Sequence, residues 1–312
     1  MFIDLQIIEW SERSEAERRA LLQRPAQRDA GLAEAVAAIL RRVREGGDGA
    51  LTELTRELDG MSPERLEFGP DDLQAATQWI DSGLRFAMNE ALGRIEAFHQ
   101  ADKPSDSRVE TAPGLLCEVR YQPLSPVGLY IPGGSAPLVS TVLMLAIPAK
   151  LAGCTEVVMC SPPGKDGRIP DEILAAAGLC GVTRVFCAGG AQAVAAMAYG
   201  TETVPRCVKI FGPGNAWVTA AKQQVSQDPL GAAIDLPAGP SEVLVIADGD
   251  ADPVHTAWDL LSQAEHGPDS QVVLLTDSRD LAAAVIDELQ RLAPRSPRAD
   301  ILQRSLAEAR II

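Results

Sequence analysis

Several residue types that announce particular functions are scarce in this 312-residue chain. Positive charge is in deficit, with 28 Lys and Arg against 43 Asp and Glu, a formal net charge of −15. No basic cluster relieves that field, which repels phosphate backbones and anionic headgroups and so excludes nucleic acid and membrane surfaces as partners. Long apolar runs are missing too: the longest, residues 142–149, is far short of the roughly 20 needed to cross a bilayer. The N-terminus carries Asp4 and Glu9 and lacks the basic start and apolar stretch of a secretory leader, so a cytoplasmic location is expected. None of the six cysteines forms a C-x-x-C pair, which argues against a disulfide framework or a thiolate metal site. They read as reduced core residues, Cys117 and Cys154 included. Histidine occurs three times and no G-x-G-x-x-G follows any expected strand, so the usual dinucleotide fingerprint is absent.

What the chain does hold is 46% hydrophobic residues, enough for a sizeable core, with 26 glycines and 22 prolines as punctuation. That combination suits alternating strands and helices, an α/β protein of about two domains. Residues 11–100 read almost wholly as helix, with an apolar stripe of Ala33, Val36, Ala37, Leu40 and Val43 ending at Gly46-Gly47. Residues 115–121 alternate as one strand. Prolines and glycines then crowd together from Pro123 to Pro137, as at a domain boundary. Strands near Val157, Val182 and Val208, each followed by a helix, recur about every 25 residues, the rhythm of a doubly wound parallel sheet. A second crowding of breakers spans 229–240, and two more strands, 242–247 and 271–276, alternate with helices. The expected architecture is two Rossmann-like parallel-sheet domains, one inserted in the other. Residues 1–129 together with 239–312 would form the discontinuous domain, with the N-terminal helices, and 130–238 the inserted one. The chain ends on Arg310-Ile311-Ile312, which reads as the opening of a strand cut short.

Three glycine turns stand at strand-to-helix junctions: Tyr130-Ile131-Pro132-Gly133-Gly134-Ser135, Gly189-Gly190-Ala191-Gln192 and Phe211-Gly212-Pro213-Gly214-Asn215. Each can be a plain connector, or its free N–H groups and the helix dipole can hold an anionic phosphate. Three on the same end of one sheet favour a ligand. Gln263 and His266 are three residues apart near the end of a helix, so they can converge on a metal or polar substrate, or the histidine can simply close the helix before Gly267-Pro268. Ser241 has no nearby histidine base, so it is a hydrogen-bonding or turn residue rather than a nucleophile.

Taken together and in order, the blocks Tyr130–Gly134, Gly189–Ala193, Ile210–Asn215, Asp235–Glu242 and Ser262–Gln271 resemble the signature of the histidinol dehydrogenases over residues 128–276. The resemblance implies a zinc-dependent enzyme of histidine biosynthesis that oxidises L-histidinol to L-histidine through the aldehyde, using two NAD molecules in succession, and that works as a homodimer. It assigns Tyr130, Gln192 and Asn215 to NAD, Ser241 to the substrate, and Gln263 and His266 to zinc and the substrate's border. The family's Glu-His pair of general bases and two further zinc ligands would lie beyond Ile312. This polypeptide alone is therefore expected to turn histidinol over poorly or not at all. The alternative is a non-catalytic nucleotide-fold remnant with a binding or assembly role.

Overall fold

The computed structural model describes residues 3–23, 31–133, 137–237, 242–268 and 270–312. The chain separates into two compact units, Asp29–Ala238 and Met1–Arg28 with Gly239–Ile312. The smaller opens with helix α1 (Glu15–Leu21), capped by Ser14 and Glu17 in a reciprocal capping box.

The larger unit opens with α2 (Leu32–Asp59), followed by β1 (Glu67–Phe68), α3 (Pro70–Trp79), α4 (Ser82–Ala101) and a ribbon of β2 (Ser107–Ala112) and β3 (Leu115–Val119). Alternating strands and helices come next: β4 (Val127–Tyr130), α5 (Val139–Ala152), β5 (Val157–Ser161), α6 (Asp171–Cys180), β6 (Arg184–Cys187), α7 (Gly190–Tyr199), β7 (Lys209–Phe211), α8 (Ala216–Gln227) and β8 (Ala233–Ile234). They build a six-stranded sheet in the order β1-β6-β5-β4-β7-β8, parallel except for β1, which runs antiparallel to β6.

Because side chains alternate along a strand, each strand feeds two cores, as a sheet covered on both faces requires. Val158, Cys160, Phe186 and Ile210 join α2, α7 and α8 on one side; Leu129, Met159, Val185 and Cys187 join α3, α4, α5 and α6 on the other. Of the stripe read in the sequence, Val36, Leu40 and Val43 pack inward on α2 together with Ile39, whereas Ala33 and Ala37 are exposed. The helix does not end at Gly46-Gly47 but breaks and resumes there: Gly47 has φ 54° and ψ −139°, and the Asp48 N–H donates to Glu202 Oε2 at 2.7 Å. Cys160, Cys180, Cys187 and Cys207 are buried as expected of core thiols, whereas Cys117 is exposed on β3 and Cys154 half-buried.

Two features depart from the sequence reading. The breaker cluster taken for a boundary contains β4, which lies between β5 and β7 in the sheet; its prolines flank a four-residue strand and cost no ladder bond inside it. Residues 29–129 accordingly belong with the larger unit rather than with 239–312, since their helices cover its sheet.

The smaller unit is a parallel sheet of β9 (Glu242–Ile246), β10 (Gln271–Leu275) and β11 (Arg310–Ile311) in the order β11-β10-β9. It is packed by α9 (Pro253–Ala264), α10 (Arg279–Leu292) and α11 (Ala299–Leu306). The last residues do form a strand, and Ile7 bridges to Ile311 beside it. Among the described residues no helix is long and apolar enough to cross a membrane.

Gly47→Ala is expected to cost about 2 kcal/mol, because φ 54° is unfavourable for a side chain and a Cβ would stand 2.2 Å from the Glu202 carboxylate. Gly49→Ala, two residues on, meets nothing within 4 Å and should stabilise the helix by about 0.5–1 kcal/mol. Opposite shifts in melting temperature check the pair.

Candidate functional site

Strand order singles out one place. From β4 the chain steps to β5 and β6 on one side, then crosses to β7 and β8 on the other. At such a switch point the connections diverge, and a crevice opens beyond the carboxyl ends of the strands. The turns after β4, β6 and β7 all lie at that end, and they are packed on one another through glycines.

Gly212 (φ 125°) follows β7, and a Cβ there would lie 2.2 Å from the Tyr130 carbonyl oxygen, so only glycine lets the two strand ends approach. Pro162, after β5, sits between Gly133 and Gly189, where added Cβ atoms would meet it at 2.4 and 2.6 Å. These contacts bring backbone N–H groups of the α7 and α8 starts to one edge, where an anionic phosphate is favoured.

Tyr130 and Gln192 are brought together at the start of α7. The Tyr130 hydroxyl accepts the Gly190 N–H at 3.0 Å, and burial pushes its pKa up to about 12, so it stays neutral. Gln192 is 1% exposed; its Nε2 donates to Asp59 Oδ2 at 3.1 Å, while its Oε1 is buried without a partner. A Cβ on Gly190 would come within 2.7 Å of that orphaned oxygen. Asp59 closes α2, and burial raises its carboxyl above the usual range against the opposing hydrogen bond from Gln192. Asn215, exposed, caps α8 by accepting the Val218 N–H at 3.1 Å. Gly134 and Ser135 of the first turn lie outside the described residues, as does Ser241.

A buried ion pair holds the β7 turn. Lys222, 2% exposed, donates from Nζ to the Gly212 carbonyl at 2.8 Å and to Asp235 Oδ1. Asp235 Oδ2 accepts the Gly212 N–H at 2.9 Å, and Oδ1 also accepts the Leu236 N–H at 2.7 Å. Both polar groups of Gly212 are thus gripped by one pair. Burial works to raise the Asp235 carboxyl, but the Lys222 ammonium and the two N–H donors hold it below the ordinary range.

The pair and Asp59 escape sequence reading for different reasons. Lys222 does leave a signal, a cation on the face of α8 that buries Val218, Ala221 and Val225. Asp59 leaves only a faint one, an acid at a helix C-terminus against the dipole.

In the smaller unit, Gln263 lies in the last turn of α9, and the His266 N–H donates to its carbonyl at 3.2 Å. His266 is exposed; Gln263 Nε2 is buried and unpartnered. Among the described residues no group of three or more His, Cys, Asp or Glu side chains clusters to hold a metal. A catalytic zinc takes about three protein ligands, so the described residues do not by themselves fit one. A cavity of about 520 Å³ in this unit, bordered by Ile7, Trp10, Leu244, Val273 and Leu275, is mainly apolar and includes none of the sequence-predicted residues.

Lys222→Met should destabilise the protein by about 3 kcal/mol, because it leaves the Asp235 carboxylate without its cation. A depressed carboxyl pKa contributes stability above the unfolded value, lost as pH falls through the folded one. Thermal melts should therefore show the wild-type advantage over Lys222→Met intact at neutral pH and shrinking below about pH 4.

Comparison with known proteins adds a consistent picture. A family model described as histidinol dehydrogenase matches residues 22–312. Histidinol dehydrogenase of Xylella fastidiosa (strain 9a5c) is 54% identical over 309 residues, covering 99% of this chain and 72% of that protein. The enzyme of Vibrio parahaemolyticus is 53% identical, covering 99% and 71%. The crystal structure of histidinol dehydrogenase from Elizabethkingia anophelis superposes with a TM-score of 0.91 at 41% identity, covering 99% of this chain and 70% of that one.

Proposed function

The chain belongs to the histidinol dehydrogenase family, and from that premise we propose that its larger unit binds NAD at the switch point between β4 and β7, in the service of oxidising L-histidinol to L-histidine through the aldehyde. The observation that carries this reading is the buried, unpartnered Gln192 Oε1 beside Gly190, at the junction of two glycine turns. A donor from outside the chain would satisfy that oxygen, and a buried acceptor left empty costs about 1–3 kcal/mol.

In this reading Tyr130, Gln192 and Asn215 contact NAD, and Tyr130 also supports the turn on which Gln192 stands. The Tyr130 hydroxyl fixes the Gly190 peptide; Asp59 orients the Gln192 amide so that its oxygen faces away from the carboxylate. The N–H groups at the starts of α7 and α8 face the phosphates, and the Lys222–Asp235 pair keeps the Gly212 turn in register with Tyr130. NAD when bound supplies a hydride acceptor, and the chain's own residues supply position and charge complementarity. Ser241 binds the alcohol substrate, while Gln263 and His266 offer two donors to the family's zinc. Because the described donors fall short of a zinc shell, no step is assigned to the metal. In this reading the full-length protein is a cytoplasmic homodimer.

With three histidines in all, and His266 alone in a matching block, this polypeptide is poorly equipped to move the alcohol proton. NAD binding and turnover should therefore separate. Calorimetry should detect NAD binding by the chain and a loss of about tenfold or more in Gln192→Leu, the cost of one hydrogen bond to a buried group. NADH formation from histidinol with added zinc should stay near background. A folded wild-type chain that fails to bind NAD would overturn the proposal in favour of a purely structural remnant, and brisk turnover would overturn the expectation of impairment.

A further inference from the structure

Asp59 carries a charge that the fold disfavours and does not balance. It is the last residue of α2, where the helix dipole presents its negative end to the carboxylate. Although the residue as a whole is open to solvent, partial burial of its carboxyl raises the pKa above the ordinary range, against the hydrogen bond from Gln192. Among the described residues no Lys or Arg pairs with it. The contrast is with Asp235, at the same site, which has Lys222. An acid set against both dipole and burial, without a cation, is placed for binding rather than for stability.

Position and chemistry identify the group it meets. The charge of Asp59 is felt by the Tyr130 hydroxyl, at the end of β4, and by the Cys187 thiol, at the end of β6, and raises the pKa of each. The carboxylate therefore stands beyond the carboxyl ends of the strands, where ligands of such sheets bind. Gln192 Nε2 donates to Asp59 Oδ2, which leaves Asp59 Oδ1 and the buried Gln192 Oε1 without a partner among the described residues. Two free acceptors thus flank one hydrogen bond, and neither has a donor to give. Their complement is a ligand group that offers two donors on neighbouring atoms. Within a dinucleotide the phosphates offer none and are repelled by a carboxylate. The carboxamide and the adenine amino group donate from a single nitrogen. The cis-diol of a ribose offers two O–H groups on adjacent carbons, and a hydroxyl on a carboxylate makes a charge-assisted bond.

We propose that Asp59 is itself a cofactor-binding residue: its Oδ1, together with Gln192 Oε1, accepts the two hydroxyls of a ribose cis-diol of NAD. The inference rests on the NAD reading above and adds to it a residue from the end of α2. It is tested by calorimetry on this chain with NAD and its two 2′-deoxy analogues, one lacking the hydroxyl of the adenosine ribose and the other that of the nicotinamide ribose. Wild type should bind one analogue about tenfold more weakly than NAD, which also identifies the ribose concerned. Asp59→Asn keeps an oxygen for Gln192 Nε2 but turns the free position from acceptor to donor. The variant should bind NAD about tenfold more weakly and no longer distinguish it from that analogue, the non-additivity that a direct contact produces. Melting curves separate binding from folding. A carboxyl whose pKa is raised by folding costs stability above that pKa, so Asp59→Asn should melt at or above the wild-type temperature at neutral pH and lose any gain in acid. A lower melting temperature at neutral pH would mark Asp59 as structural and overturn the proposal. So would wild type indifferent to both deletions, or an Asp59→Asn chain that binds NAD as wild type does or stays equally sensitive to the missing hydroxyl; each of these leaves the NAD site standing. A folded wild-type chain that binds no NAD would overturn both.

Discussion

The approach of Gly212 to the carbonyl of Tyr130 is the constraint on which the rest of the site depends. Two strands that diverge in connection meet there with no room for a side chain. The contact is held from the far side by Lys222 and Asp235, which grip both polar groups of the Gly212 peptide. Tyr130 then carries the geometry across to the next turn through its hydroxyl on Gly190, and Gln192 follows two residues on. A buried ion pair is weak evidence for stability in itself. Its value here is positional: it orients a glycine turn that has no side chain of its own to hold it.

Small residues serve the same end elsewhere in the larger unit. Alanines fill most of the buried face of α7, and Gly128 in β4 leaves space for Met197, whose sulfur would lie 2.8 Å from an added Cβ. Helix and sheet can then lie close, which brings the start of α7 down to the strand ends. The contacts that stabilise the sheet also bring together the peptide N–H groups of the candidate site. Gln263 and His266, the donors proposed for a metal, stand in the other unit, on a helix end rather than a strand end, and among the described residues no cluster of three or more His, Cys, Asp or Glu side chains could hold a metal.

Much of this was legible beforehand where local rules act alone. The strands at 157–161, 184–187, 242–246 and 271–275 follow from short apolar runs between breakers, and the glycine turns from their place between strand and helix. The same rules misled at β4. The breakers from Pro123 to Pro137 read as a domain boundary, because a count of breakers cannot know that β4 among them has parallel neighbours waiting on both sides. Residues 29–129 went to the wrong lobe for a related reason. An amphipathic helix declares that it needs a surface without declaring which one.

Composition, periodicity and motif order were thus sufficient to determine the α/β class, the acidic character and the family blocks, all of which depend on residues near one another in the chain. Tertiary structure alone decided that Asp59 reaches Gln192 across 133 positions. It also set the paired Lys222 and Asp235 on the carbonyl and the N–H of one glycine and left the ribbon of Val109 and Leu115 uncovered. Each of these is a relation between distant segments, fixed by how the sheet is ordered, and strand order is a global property that no local window of sequence contains.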